Sequence, residues 1–251
     1  MTIWRYLTLR EDYMIQKSNG LKIAGTLYTP ETEGPYPLVL ILHGFGANCE
    51  LLRAYAPSFT EAGFAFAVFD FCGGGPGILS DGDMRDMTIP TEVEDLGDVI
   101  AYFDKRPDID SAHLFILGES IGGLVASCYC AKHKDTAAGL ALWYPALVIP
   151  HDAKQRYEEG VTEAFGLDMN PDFDRIAKDL DFTVELQNYG RDVLLLHGDE
   201  DDLSPLFYSE LVAEKCSNVE LRLMRGSGHG FSGENREKAC KYTIEYFKKH
   251  F

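Results

Sequence analysis

A serine between glycines, four consecutive acids and a histidine between glycines are the residues of this sequence whose types fit a shared chemistry. Ser120 stands in Gly118-Glu119-Ser120-Ile121-Gly122, after the apolar run Leu114-Phe115-Ile116-Leu117 and before Leu124, Val125 and Ala126. That context predicts a buried strand, a sharp turn and a helix. Glycines two before and two after the serine let strand and helix approach closely. The turn holds the hydroxyl out at the strand's carboxyl end. The backbone N–H of Ile121 then faces the place where an oxyanion would develop, at a helix N-terminus. Serine is a poor nucleophile at neutral pH and needs a base within hydrogen-bond reach. Histidine suits, because its ordinary pKa lies near ~6.5. The histidine in turn needs a carboxylate to fix its tautomer and stabilise the imidazolium. Asp199, Glu200, Asp201 and Asp202 follow one apolar run, and His229 follows the last. The five-residue pattern alone recurs by chance in small-residue turns, so the elements around it decide.

Those elements alternate. Residues 12–17 and 21–28 read as strands joined at Ser18-Asn19-Gly20, a hairpin signal. Residues 38–42 and 64–69 are buried strands, with a helix over 50–62 between them. A glycine-rich loop over 71–82 follows, expected to be a flexible connection. It is no phosphate loop, since no Lys-Ser or Lys-Thr follows it. An amphipathic helix over 91–104 carries Val93, Leu96, Ile100 and Phe103 on one face. After the Ser120 turn come a helix to about residue 133 and a strand over 137–143. Residues 145–189 break the rhythm and are expected to form an inserted cap. The alternation returns with strands at 193–196 and 219–224 and helices at 206–216 and 234–248. The fold class is α/β: a mostly parallel central sheet with helices on both faces. The core domain comprises residues 1–144 and 190–251. Ligands of such sheets bind beyond the carboxyl ends of the strands. Residues 43–47, 118–122, 197–202 and 226–230 all follow strand ends and should converge there.

Composition narrows the partners. The 251 residues carry 23 basic and 40 acidic side chains, a net charge of −17, which argues against nucleic acid and anionic membrane surfaces. No run of about 18 apolar residues predicts a membrane span. The start, Met1-Thr2-Ile3-Trp4-Arg5, lacks the basic-then-apolar pattern of a signal peptide. Cys49, Cys72, Cys128, Cys130, Cys216 and Cys240 are scattered and without a C-x-x-C, as expected of reduced thiols in a cytoplasmic protein. The oligomeric state stays open, a homodimer included.

The chain order Ser…Asp…His, each after a core strand, resembles the α/β-hydrolase fold. The resemblance runs from about residue 20 to 251. Its marks are His43-Gly44-Phe45-Gly46, Gly118-Glu119-Ser120-Ile121-Gly122, His197-Gly198-Asp199-Glu200-Asp201 with Pro205, and Gly228-His229-Gly230. It implies a serine hydrolase with Ser120 as nucleophile and His229 as base. The family pattern His-Gly-x-x-Asp, with a proline four residues on, selects Asp201 among the four acids. The segment after His43 resembles the family's oxyanion loop, which implies backbone N–H groups of Phe45 and Ile121 as oxyanion donors. His43 and His197 are expected to be structural. The loop over 71–82 departs from the family's usual Gly-His-Gly-x-Ser, although Ser80-Asp81-Gly82 survives. Within the family the chain resembles short bacterial carboxylesterases of the cinnamoyl and feruloyl type. The expected substrate is a small soluble ester, hydroxycinnamoyl esters included, with no metal and no cofactor. Trp143 and Tyr144, at the entry to the cap, are candidate substrate-binding residues. Cap aromatics Tyr157, Phe165, Phe173, Phe182 and Tyr189 either bind an aromatic acyl group or form the cap's own small core. An acylglycerol lipase, thioesterase or peptidase with the same residues, or a silent binding protein on this fold, are the rival readings.

Overall fold

The structure is a computed structural model and describes residues 8–251. The signal-peptide reading of Met1-Thr2-Ile3-Trp4-Arg5 and the first residues assigned to the core domain lie outside the described residues. Eight strands form one sheet: β1 (Leu9–Gln16), β2 (Lys22–Thr29), β3 (Tyr36–Leu42), β4 (Ala65–Phe69), β5 (Ile109–Glu119), β6 (Gly139–Trp143), β9 (Val193–Gly198) and β10 (Val219–Met224). Their spatial order is β1-β2-β4-β3-β5-β6-β9-β10. β1 pairs antiparallel with β2, and β2 antiparallel with β4; every later pairing is parallel. The sheet is mostly parallel and flanked by helices, as the alternation predicts.

The central strands are apolar throughout because both faces are covered. Leu38, Leu40 and Leu42 of β3 and Leu114 and Ile116 of β5 join one core. Val39, Ile41, Phe115 and Leu117, the alternate positions, join the other. The first core is closed by α2 (Ile89–Phe103), α3 (Ile121–Lys132) and α7 (Leu206–Lys215), the second by α1 (Ala56–Glu61) and α8 (Gly233–Phe247). The helix expected over 50–62 is split: Cys49–Tyr55 is 3-10, and α1 follows it. Pro57 sits in the first turn of α1 and has no N–H to give to Arg53, so a continuous α-helical ladder is interrupted there.

Residues 145–189 contain α4 (Ile149–Glu159), a two-stranded hairpin of β7 (Glu163–Ala164) and β8 (Leu167–Asp168), α5 (Pro171–Ala177) and α6 (Phe182–Tyr189). α4 and α5 pack together, and Arg156 holds the buried carboxylate of Asp174 with two hydrogen bonds of 2.9 and 2.7 Å. α6 packs instead on α3, with Phe182, Leu186 and Tyr189 in the core and the Tyr189 hydroxyl donating to the Ala137 carbonyl at 3.2 Å. This last stretch of the expected insertion belongs to the helical layer on the sheet. The loop over 71–82, expected to be flexible, is tied down. The Asp70 carboxylate accepts from the N–H groups of Cys49 and Leu79 at 2.6 and 2.7 Å. Ser80 donates to the Asp70 carbonyl at 2.6 Å and accepts from Ala24 N–H at 2.8 Å.

Candidate active site

The turn between β5 and α3 carries Ser120 at φ 52° and ψ −120°, a conformation that non-glycine residues rarely hold without support. The support is the closeness of strand and helix. A Cβ on Gly118 would sit 2.5 Å from the Gly122 carbonyl oxygen, and one on Gly122 would sit 2.5 Å from that of Leu42. Only glycine fits at both positions. The Ser120 N–H donates to the Trp143 carbonyl at 3.1 Å, and its carbonyl accepts from Gly123 and Ala146, each at 3.1 Å.

His229, in the loop after β10, reaches Ser120. Its Nε2 is 2.9 Å from Ser120 Oγ, and its Nδ1 is 2.9 Å from Asp201 Oδ2. An ionised carboxylate only accepts, so Nδ1 carries the proton and Nε2 accepts from the serine hydroxyl. Of the four acids after β9, Asp201 alone contacts His229. Asp199 turns away and accepts from Gly226 N–H at 2.7 Å and from Arg225 at 3.3 Å. Glu200 and Asp202 are exposed. Asp201 is buried, and its Oδ1 accepts from the N–H groups of Leu203 at 3.0 Å and Ser204 at 2.8 Å. Burial alone would raise its carboxyl. The hydrogen bonds from His197, His229 and Ser204 outweigh that and hold it well below the usual carboxylate range.

His197 does more than end a strand. Its Nε2–H donates to the Ser204 carbonyl at 2.7 Å and stands 3.3 Å from Asp201 Oδ2, while its Nδ1 accepts from Ser209 at 2.8 Å. It braces the same carboxylate that His229 uses. His43 is buried and structural: burial keeps it neutral, Nδ1–H donates to the Gly44 carbonyl at 2.9 Å, and Nε2 accepts from Phe71 N–H at 3.1 Å. Gly44 lies directly against the serine, where an added Cβ would be 3.2 Å from Ser120 Cβ. The N–H groups of Phe45 and Ile121 have no acceptor among the described residues.

A cavity of about 410 Å³ opens at this point. Phe45, Val148, Ile149, Phe165, Met169 and Phe173 supply its apolar wall, and Glu119, Ser120, Tyr144 and His229 its floor. Tyr144 therefore lines the cavity. Trp143 does not: it is 0% exposed, packs in the core under α8 and donates its indole N–H to Thr243 at 2.9 Å. As a substrate-binding candidate Trp143 is corrected: its ring is enclosed in the core against Tyr55 and Phe231, and only the next residue, Tyr144, held at φ 36°, reaches the cavity. The aromatics at 145–189 divide in the same way. Phe165 and Phe173 flank Phe45 at ring-centroid distances of 6.1 and 6.4 Å, Phe182 and Tyr189 are core, and Tyr157 stands in solvent beneath Lys178. Met169 and Glu119 are lining residues that the sequence reading did not single out. Glu119 carried a signal, a charge at the end of an apolar strand.

The Hydrolase_4 family, described as "Serine aminopeptidase, S33", matches residues 33–167, more than half of the chain. The chain is 38% identical over 102 residues to the "Uncharacterized 31.7 kDa protein in traX-finO intergenic region" of Escherichia coli, a match covering 40% of this chain and 35% of that protein. It thus spans about a third of the length of that relative. A longer match, 22% identical, covers 91% of this chain and 93% of a monoacylglycerol lipase of Mycolicibacterium smegmatis. Among solved structures, Est1E from Butyrivibrio proteoclasticus with ferulic acid bound superposes with a TM-score of 0.80 at 23% identity, covering 93% of this chain and 98% of that one. The fold is the α/β-hydrolase fold, and it resembles that of this ferulic-acid-binding protein.

Proposed function

The chain belongs to the Hydrolase_4 family, and from that membership and the geometry around Ser120 we propose that it is a serine hydrolase cleaving carboxylic esters through an acyl-enzyme. The observation that carries the reading is the series of two 2.9 Å contacts, Ser120 Oγ to His229 Nε2 and His229 Nδ1 to Asp201 Oδ2. Ser120 Oγ attacks the ester carbonyl as His229 Nε2 takes its proton. The tetrahedral oxyanion lies against the free N–H groups of Phe45 and Ile121, which are aimed before charge develops there. The imidazolium, stabilised by ionised Asp201, returns the proton to the departing alcohol. Water then attacks the acyl-Ser120 with His229 as base, and the carboxylic acid leaves. None of these steps calls for a metal or cofactor.

The substrates are small soluble esters with an apolar or aromatic acyl group. A volume of about 410 Å³ falls within the ~300–1,000 Å³ of small-molecule sites. Its phenylalanine and methionine wall favours a flat apolar group over a charged one. Hydroxycinnamoyl esters satisfy both conditions, and the fold likeness to Est1E with ferulic acid supports that choice. The test is a substrate panel of alkyl, aryl and hydroxycinnamoyl esters, a thioester and amino-acid anilides, with wild type and Ser120→Ala. Ester hydrolysis should dominate and fall by about six decades in Ser120→Ala. Anilides cleaved faster than every ester would replace the ester reading with a peptidase one.

A further inference from the structure

The residue before Ser120 is charged where its strand neighbours are apolar. Glu119 ends β5, is only 8% exposed, and lines the same cavity as Ser120, Tyr144 and His229. Its Oε1 is buried and has no hydrogen-bond partner among the described residues. The titratable groups acting on this carboxyl come from four elements: the Tyr55 phenol before α1, the Tyr144 phenol after β6, the Cys240 thiol on α8, and the His229 imidazole after β10. Burial raises both phenols and lifts the thiol to about 11, so these three are neutral at ordinary pH. His229 is the member of the group that gains positive charge. Tyr144 links the two sites. Its ring meets that of His229 edge-on, centroids 5.0 Å apart, and its hydroxyl acts on Glu119. It is held there at φ 36°, a left-handed conformation, with its N–H donated to the Leu196 carbonyl at 2.7 Å. A purely structural role explains this poorly, because a buried carboxyl with a spare acceptor and no fixed cation destabilises a fold.

We propose that Glu119 is a second carboxyl of the site and a positioning residue for His229, stabilising the imidazolium when ionised and withdrawing that support when protonated. This rests on the reading of His229 as the base for Ser120. Burial pushes the carboxyl up to about 7, against the pull of Tyr144, Tyr55 and His229, so the change of state falls within the working pH range.

The test compares kcat/KM from pH 5 to 9 in wild type, Glu119→Gln and Tyr144→Phe, with NMR titration of the His229 imidazole in a Ser120→Ala background. Wild type should rise in two steps. Glu119→Gln should rise in one, with rates about three- to tenfold lower at pH 8.5 and unchanged at pH 5.5. Tyr144→Phe removes a group that holds the carboxyl down, so the upper step should move to higher pH. It carries the test if the glutamine variant does not fold. In the Ser120→Ala background, the imidazole should titrate at lower pH once Glu119→Gln is added than with Glu119 intact. Equal imidazole titration, or a uniform loss at every pH, overturns the proposal. Failure of the underlying reading looks different: Ser120→Ala would still hydrolyse esters.

Discussion

Asp201→Asn changes one atom in a carboxylate that meets four donors, and the structure sets the size of the effect. The amide oxygen can replace only one carboxylate oxygen. If it keeps the place of Oδ1, it retains Leu203 and Ser204 N–H. The new NH2 then faces His229 Nδ1 and forces the tautomer with the proton on Nε2, which has no lone pair for the Ser120 proton. If the amide flips, His229 keeps its tautomer, but the NH2 faces two backbone donors, the buried Ser204 N–H and the partly buried Leu203 N–H. Leaving each unsatisfied costs ~1–3 kcal/mol, so the productive arrangement is the minor one. In both arrangements the negative charge that stabilises the imidazolium is gone. A loss of about four decades in kcat follows, equivalent to ~5.5 kcal/mol of transition-state stabilisation. The neighbouring Asp199→Asn loses only contacts to Gly226 and Arg225 on an exposed loop, and kcat should stay within about tenfold. The assay is saturating hydrolysis of an aryl ester by folded protein, with thermal melts of both variants alongside. Asp201→Asn within tenfold of wild type, or equal losses at 199 and 201, would refute the reasoning.

Three further outcomes follow from the same contacts. Glu119 binds its proton more tightly folded than unfolded, so its stabilising contribution is complete below the unfolded value of about 4.3 and lost as pH rises through about 7. Thermal melts should therefore find Glu119→Gln more stable than wild type at pH 8, by up to ~3 kcal/mol, with the difference vanishing near pH 4; a constant difference at all pH would contradict the burial argument. Trp143→Phe leaves Thr243 without its indole partner and should lower urea stability by ~1–3 kcal/mol while KM for esters stays unchanged, since Trp143 lines no part of the cavity. Phe165 is 78% exposed at the hairpin tip beside Phe45, so Phe165→Ala should leave the melting temperature unaltered and reduce kcat/KM for aryl esters about three- to tenfold relative to acetyl esters; an equal loss on both would mean the tip does not touch the acyl group.

What was legible in the sequence was what local chemistry dictates. The strand–turn–helix at 114–125 declared itself because its two glycines answer a packing demand within five residues. β10 falls on 219–224 as its apolar pattern requires. β5 begins five residues before its apolar run because Ile109 and Asp110 pair with Tyr36 and Pro37 ahead of a register shift, after which Leu114 pairs with Leu38; Ser111 and Ala112, between the two pairings, are exposed and carry no apolar signal. The boundary of the insertion was hidden for another reason. α6 has the amphipathic composition of a cap helix, and only its partner α3, far earlier in the chain, makes it part of the core. The pinning of the loop over 71–82 depends on Asp70 reaching back to Cys49 and forward to Leu79, contacts that leave no periodic trace. Glu119 was visible as a charge but not as a lining residue, because its neighbours Tyr55, Tyr144 and Cys240 come from distant parts of the chain.

Covalent trapping at Ser120 tests the central claim most directly. Wild-type protein, treated with a fluorophosphonate and measured as intact mass and then as peptides, should gain one adduct, on Ser120, with parallel loss of ester hydrolysis. Ser120→Ala should gain none. An adduct on any other residue, or ester hydrolysis that persists in unlabelled Ser120→Ala protein, would contradict the account.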